Sequence, residues 1–172
     1  MKSPISRIVL ILTILVLTFG CDQVTKSIVR KNVNENQIIR IIGDNLIMTK
    51  VENKGAFLSV GDNLPDFLRE ILLTYVPILV LLLALAYLIT NRDQPLIIVI
   101  AISFVVGGGF GNIFDRLVHG SVTDFLHMDF YLFRTGIFNA ADMCIMTGSF
   151  LLLYHYLVNQ TLQKKSKEKT IQ

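Results

Sequence analysis

Long unbroken apolar runs leave a chain few folding choices, and this chain holds four: residues 8–20, 71–89, 96–106 running on to 114, and 137–158. Three reach the roughly 20 residues that an α-helix needs to cross a bilayer. Backbone placed in lipid must satisfy its own hydrogen bonds, so each run is read as a helix. With 52% hydrophobic and 17% charged residues, the composition departs from that of a soluble domain in the same direction. The reading is one domain, 1–172, an α-helical integral membrane protein with four transmembrane helices near 5–29, 66–90, 95–116 and 137–159.

The first run has two readings. Lys2 and Arg7 ahead of 13 apolar residues also fit a cleaved secretory signal. Against cleavage, Phe19 is bulky for a lipobox, and the apolar pattern continues past Cys21 through Val24, Ile28 and Val29 at helical spacing. A retained helix is expected.

Between Asp22 and Glu70 stand seven basic and seven acidic residues, too polar for hydrocarbon. The loop 30–65 is therefore placed outside the membrane, with β-branched runs at 37–42 and 46–51 joined by Gly43-Asp44-Asn45 as a hairpin. A second turn at Asn53-Lys54-Gly55 leads into 56–60, giving a small extracytoplasmic β-sheet on the membrane surface. Pro77 should kink the second span, and Pro95 should open the third. Ser103, Gly107 and Gly111 recur at four-residue spacing, a small-residue face for close helix packing. Phe125, Phe130, Tyr131 and Phe133 place the next connection at headgroup depth. Four crossings put both termini on one side, which Lys2, Arg7 and the basic tail 160–172 mark as cytoplasmic.

Several functions are excluded. The net charge of +3 is scattered, without the basic run that nucleic acid requires. Cys21 and Cys144 are too few for a disulfide framework, and His119, His127 and His155 lack zinc-ligand spacing. The glycine run at 107–111 lacks a phosphate-loop ending. No metal or cofactor is expected.

What is left is carboxylate chemistry. An Asp near a bilayer centre costs about 2.5 to 3.5 kcal/mol, so Asp115, Asp124 and Asp142 each need a reason. Asn139 and Asp142, three residues apart at a helix start, fit a capping box as well as a functional site. Asp124 is either a loop residue or a second working carboxylate. Asn112, Asp115 and Arg116 can share a helix face, as a local ion environment or as substrate anchors.

The chain resembles the lipoprotein signal peptidase (signal peptidase II) family of bacterial inner membranes. The resemblance rests on Asp22-Gln23-Val24-Thr25-Lys26, Asn53-Lys54-Gly55-Ala56-Phe57, the run from Gly107 to Arg116, Gly120 to Phe125, and Phe138-Asn139-Ala140-Ala141-Asp142. It implies an aspartic endopeptidase with Asp124 and Asp142 as catalytic pair. Asp22, Lys26, Asn53, Gly55, Asn112, Asp115, Arg116 and Asn139 would support the site or the substrate. The implied substrate is a diacylglyceryl-modified prolipoprotein, cut before its lipidated Cys near the extracytoplasmic face. Membrane lipids are the other expected partner, and a monomer is expected to suffice. The rival reading, a small transporter or proton relay, would call for an internal repeat, and none is visible.

Overall fold

The computed structural model describes residues 4–35, 37–55, 64–131 and 133–170. Among these, four helices are long and apolar enough to cross a membrane. The first is α1, Pro4–Asn32. The second joins α2, Asp66–Glu70, through a π-helical turn at Ile71–Tyr75 to α3, Val76–Thr90. The third is α4, Leu96–His119, and the fourth α5, Ala140–Thr170.

The bundle is organised around α4. In its most apolar section 44% of residues are buried, against 11–17% in the other spans, so α4 is the central helix. The outer faces carry exposed residues such as Val16 and Leu83, which suit lipid. The small-residue face does pack closely. A Cβ on Gly107 would collide with Thr18 of α1, and one on Gly108 would stand 2.5 Å from the Ala141 carbonyl of α5. At the far end of α1, the buried Arg7 donates to the carbonyl oxygens of Leu88 (3.1 Å), Asn91 (2.8 Å) and Arg92. It thereby caps the end of α3.

Pro77 takes effect one turn earlier than its own position. Lacking an N–H and crowding the carbonyl four residues back, it is preceded by a widened turn in which the Val76 N–H reaches the Ile71 oxygen. The third span runs to His119, three residues beyond the expected 116. It ends where Gly120, at φ +74°, donates its N–H to the Arg116 oxygen.

A four-stranded antiparallel sheet of order β1-β2-β3-β4 sits at one end of the bundle. β1 (Ile39–Ile42) and β2 (Leu46–Asn53) form the expected hairpin, with Gly43 at φ +52°. The other two strands come from the second loop: β3, Val122–Phe130, pairs with β2, and β4, Phe133–Phe138, pairs with β3. One sheet thus ties together the loops read separately from sequence. Because β4 takes residues 133–138, the fourth helix starts at Ala140 rather than 137. It also continues to Thr170 instead of giving way to a tail at 160, since nothing after Gly148 breaks a helix. Residues 56–60, expected to continue the second turn, fall outside the described residues. Val29, Val33 and Phe125 form a buried cluster under the sheet and seat it on the end of α1.

Candidate active site

Construction begins at the start of α5. The Asp142 N–H donates to Asn139 Oδ1 (3.0 Å), and the Asn139 N–H donates to Asp142 Oδ2 (3.1 Å). This is the reciprocal capping box that the sequence suggested. It does not exhaust Asp142, whose Oδ1 accepts from Asn112 Nδ2 at 2.9 Å. The same Asn139 donates through Nδ2 to Asp124 Oδ1 at 2.6 Å. One asparagine therefore bonds to both aspartates, from β3 and from α5.

Asp124 is 3% exposed, which removes the reading of it as a surface-loop residue. Its second oxygen accepts from Asn53 Nδ2 at 2.9 Å, and Asn53 Oδ1 accepts from the Gly55 N–H at 2.9 Å. Arg116 Nη2 donates to the Gly55 carbonyl at 2.8 Å, which ties this turn to α4. Burial pushes the Asp124 carboxyl up to about 6. The Asn53 and Asn139 hydrogen bonds and the charge of Lys26 resist that shift, and the charge of Asp142 adds to it.

Behind Asn112 lies a buried charge cluster. Lys26, fully buried, donates to Asp22 (2.9 Å), Asp115 (3.1 Å) and Asn112 Oδ1 (2.9 Å), which uses all three of its protons. Asp22 Oδ1 accepts from the Ala141 N–H at 2.9 Å, an otherwise unpaired donor in the first turn of α5. Gly111 makes room for this crossing: a Cβ there would stand 2.5 Å from Asp22 Oδ2. Asp115 also meets Arg30 at 2.8 Å, so two acids and two bases balance in the interior.

All ten residues singled out in the sequence belong to one connected hydrogen-bond network. Asp115 and Arg116, adjacent in sequence, part ways within it: Asp115 turns to α1 and Arg116 to the Gly55 turn. Sequence reasoning missed five contributors. Gln23 donates to Asp22, Asp115 and the Gly111 carbonyl. Arg30 Nε donates to Thr123 Oγ1 at 2.7 Å, and Glu52 accepts from Thr123 (2.9 Å) and Ser121 (2.6 Å). The residue before Asp124 is thus held from α1 and β2. A signal for Arg30 was present, because Asp22, Lys26 and Arg30 form a polar stripe at four-residue spacing.

Asp124 and Asp142 line a cavity of about 170 Å³ with Asn53, Asn112 and Arg116, and Leu73, Pro77, Val122 and Ile137 supply its apolar wall. Ligand pockets usually exceed about 300 Å³, so this volume takes a short stretch of backbone and not a whole substrate. The π-helical turn ahead of Pro77 borders it. A larger groove of about 480 Å³ runs along α4 between α1 and α3, but apolar residues such as Leu15, Phe110 and Phe114 line it, away from both aspartates.

A membrane bundle with two neighbouring aspartates in a small polar cavity has the layout of a membrane-embedded hydrolase. The family model described as signal peptidase (SPase) II matches residues 14–158, and the chain belongs to that family. The lipoprotein signal peptidase of Streptococcus thermophilus is 36% identical over 134 residues, covering 78% of this chain and 83% of that protein. The protein of the same name from Aquifex aeolicus is 31% identical over 162 residues, covering 94% and 93%. A bacterial membrane enzyme solved by the in meso method at 2.3 Å superposes with a TM-score of 0.78 at 26% identity, covering 87% of this chain and 88% of that one. The chain is therefore a multi-pass bacterial membrane peptidase, and the transporter reading is set aside.

Proposed function

We propose that this chain is an aspartic endopeptidase that removes signal peptides from prolipoproteins whose lipobox Cys carries diacylglycerol, cutting on the amino side of that Cys. The observation that carries this reading is the joining of Asp124 and Asp142 through Asn139 at the wall of one cavity. Two adjacent carboxyls cannot both ionise readily, so they hold one proton between them. The ionised member takes a proton from water as that water attacks the scissile carbonyl, and the neutral member donates to the developing oxyanion. Arg116 has a further donor for the substrate backbone, since its buried Nε has no hydrogen-bond partner among the described residues.

The cavity lies where the sheet meets the spans, and this reading sets that end at the outer face, the depth at which a lipidated Cys would sit. Both termini are then cytoplasmic, and the substrate's apolar helix approaches through the surrounding lipid while only its cleavage segment enters the cavity. A single chain supplies every group in this scheme. The test is cleavage of a lipid-modified prolipoprotein by purified enzyme, with and without chelator. Asp124→Asn and Asp142→Asn should each abolish cleavage while the protein still accumulates in the membrane, and substantial activity in either variant rejects the pair.

A further inference from the structure

Resting on the peptidase reading above, we propose a division of labour within the pair: Asp142 is the ionised base that activates water, Asp124 carries the proton, and Lys26 imposes this assignment through Asn112.

Three asparagine amides meet the two aspartates, and each is oriented by a group that can only donate. Lys26 Nζ has no acceptor capacity, so the Asn112 atom 2.9 Å from it must be the oxygen, which turns the Asn112 amino group toward Asp142. The Asp142 N–H fixes Asn139 Oδ1 in the same way, which turns the Asn139 amino group toward Asp124. The Gly55 N–H fixes Asn53 Oδ1 and turns its amino group toward Asp124. No amide can flip without placing donor against donor.

The two carboxyls are then compared donor by donor. Asp124 accepts from two side-chain amides on a strand, and strands carry little net dipole. Asp142 accepts from one backbone N–H and from an amide whose oxygen is held by an ammonium, which polarises that amide toward stronger donation. It also lies in the first turn of α5, where the helix dipole favours negative charge. Asp142 is half-buried beside the cavity, whereas Asp124 is buried. Of the other charged groups nearby, Lys26 of α1 also pulls Asp124 down directly, a pull that burial of Asp124 outweighs, and Arg116 of α4 interacts with both carboxyls. Asp22 of α1 and Asp115 of α4 are neutralised by Lys26 and Arg30 of α1. The elevated titration of Asp124 agrees with its role as the proton carrier.

The resting enzyme in detergent or lipid is examined at pH 5 by infrared spectroscopy for the carbonyl stretch of a protonated carboxyl. That band should disappear in Asp124→Asn and persist in Asp142→Asn. Loss of the band in Asp142→Asn, or no response to either substitution, overturns the assignment. A second arm uses cleavage. Asn112→Leu removes the donor that Lys26 orients, so the acid limb of kcat/KM, which belongs to the base, should move up by about one to two pH units with the alkaline limb in place. Movement of the alkaline limb alone overturns the role given to Lys26 and Asn112. Failure of the wild-type enzyme to cleave at all rejects the parent reading instead, and the infrared arm still reports which carboxyl is protonated.

Discussion

The crossing of Asp22 over Gly111 gives the sharpest quantitative test of this architecture. In Gly111→Ala the new Cβ would lie 2.5 Å from Asp22 Oδ2, 3.1 Å from its Cγ and 3.4 Å from the Ala141 Cβ. The closest of these is about 1 Å inside ordinary contact. Asp22 has nowhere to retreat, because Lys26, Gln23 and the Ala141 N–H hold it at 2.9–3.0 Å. Overpacking of this kind costs about 1–3 kcal/mol, a lost charge-assisted hydrogen bond adds about 1.5–3 kcal/mol, and the gain in helix propensity returns about 1 kcal/mol, so destabilisation by about 2–5 kcal/mol is expected. A shift of about 1 Å carried through Lys26 or Ala141 to Asp142 should also slow cleavage about 10²-fold. The control is Gly20→Ala, in the same region of α1, where a Cβ meets nothing within 4 Å. There the gain in helix propensity, about 1 kcal/mol, should leave stability equal or higher. Unfolding in mixed micelles followed by circular dichroism, with cleavage measured on the same preparations, compares the two. Equal stability and equal activity in both variants would refute the close-approach argument.

Further outcomes can be checked on the same preparations. Because Asp124 titrates at about 6, above the ordinary carboxyl value of 3.8, its neutral form is favoured by folding. Its contribution is complete below pH 4 and lost as pH rises through 6, about 3 kcal/mol in all. Stability curves at pH 5 and 8 should show this component, Asp124→Asn should remove it, and wild-type kcat/KM should decline above about pH 6. Lys26→Met leaves Asp22 and Asp115 facing each other with Arg30 as the one cation still paired to either among the described residues, and should cost about 3–5 kcal/mol in the same unfolding assay. Thr123→Val keeps the shape but deletes the link between Arg30 and Glu52, so a loss of about 1–3 kcal/mol is expected. A neutral result would show that this clamp does not hold β3.

The spans were legible because lipid imposes a length and a composition on each of them, and the capping box was legible because it is local. Asn139 and Asp142 lie three residues apart, so no tertiary information is needed to pair them. What escaped was long-range. β3 finds its partner about seventy residues earlier in the chain, and its aromatic residues read equally well as a surface belt. Ile137 and Phe138 merge with the apolar run of α5 and hide the strand that ends there. In the site, the family motifs carried Lys26 and Asn112 to the right neighbourhood without saying what each one touches. Glu52, Ser121 and Thr123 lie in two strands and the connection before the second, with no periodic signal, so only the fold reveals that they brace Asp124.

The sheet order also has a consequence for biogenesis. β2 belongs to the first loop and β3 to the second, so their pairing cannot form until both loops have reached the same side of the bilayer. Asp124 receives Asn53 only after that event, and it receives Asn139 only when the fourth helix has entered. A nascent chain therefore carries no assembled site. The last segment to insert completes the wall around the proposed pair, so on that reading proteolysis begins only once membrane integration ends.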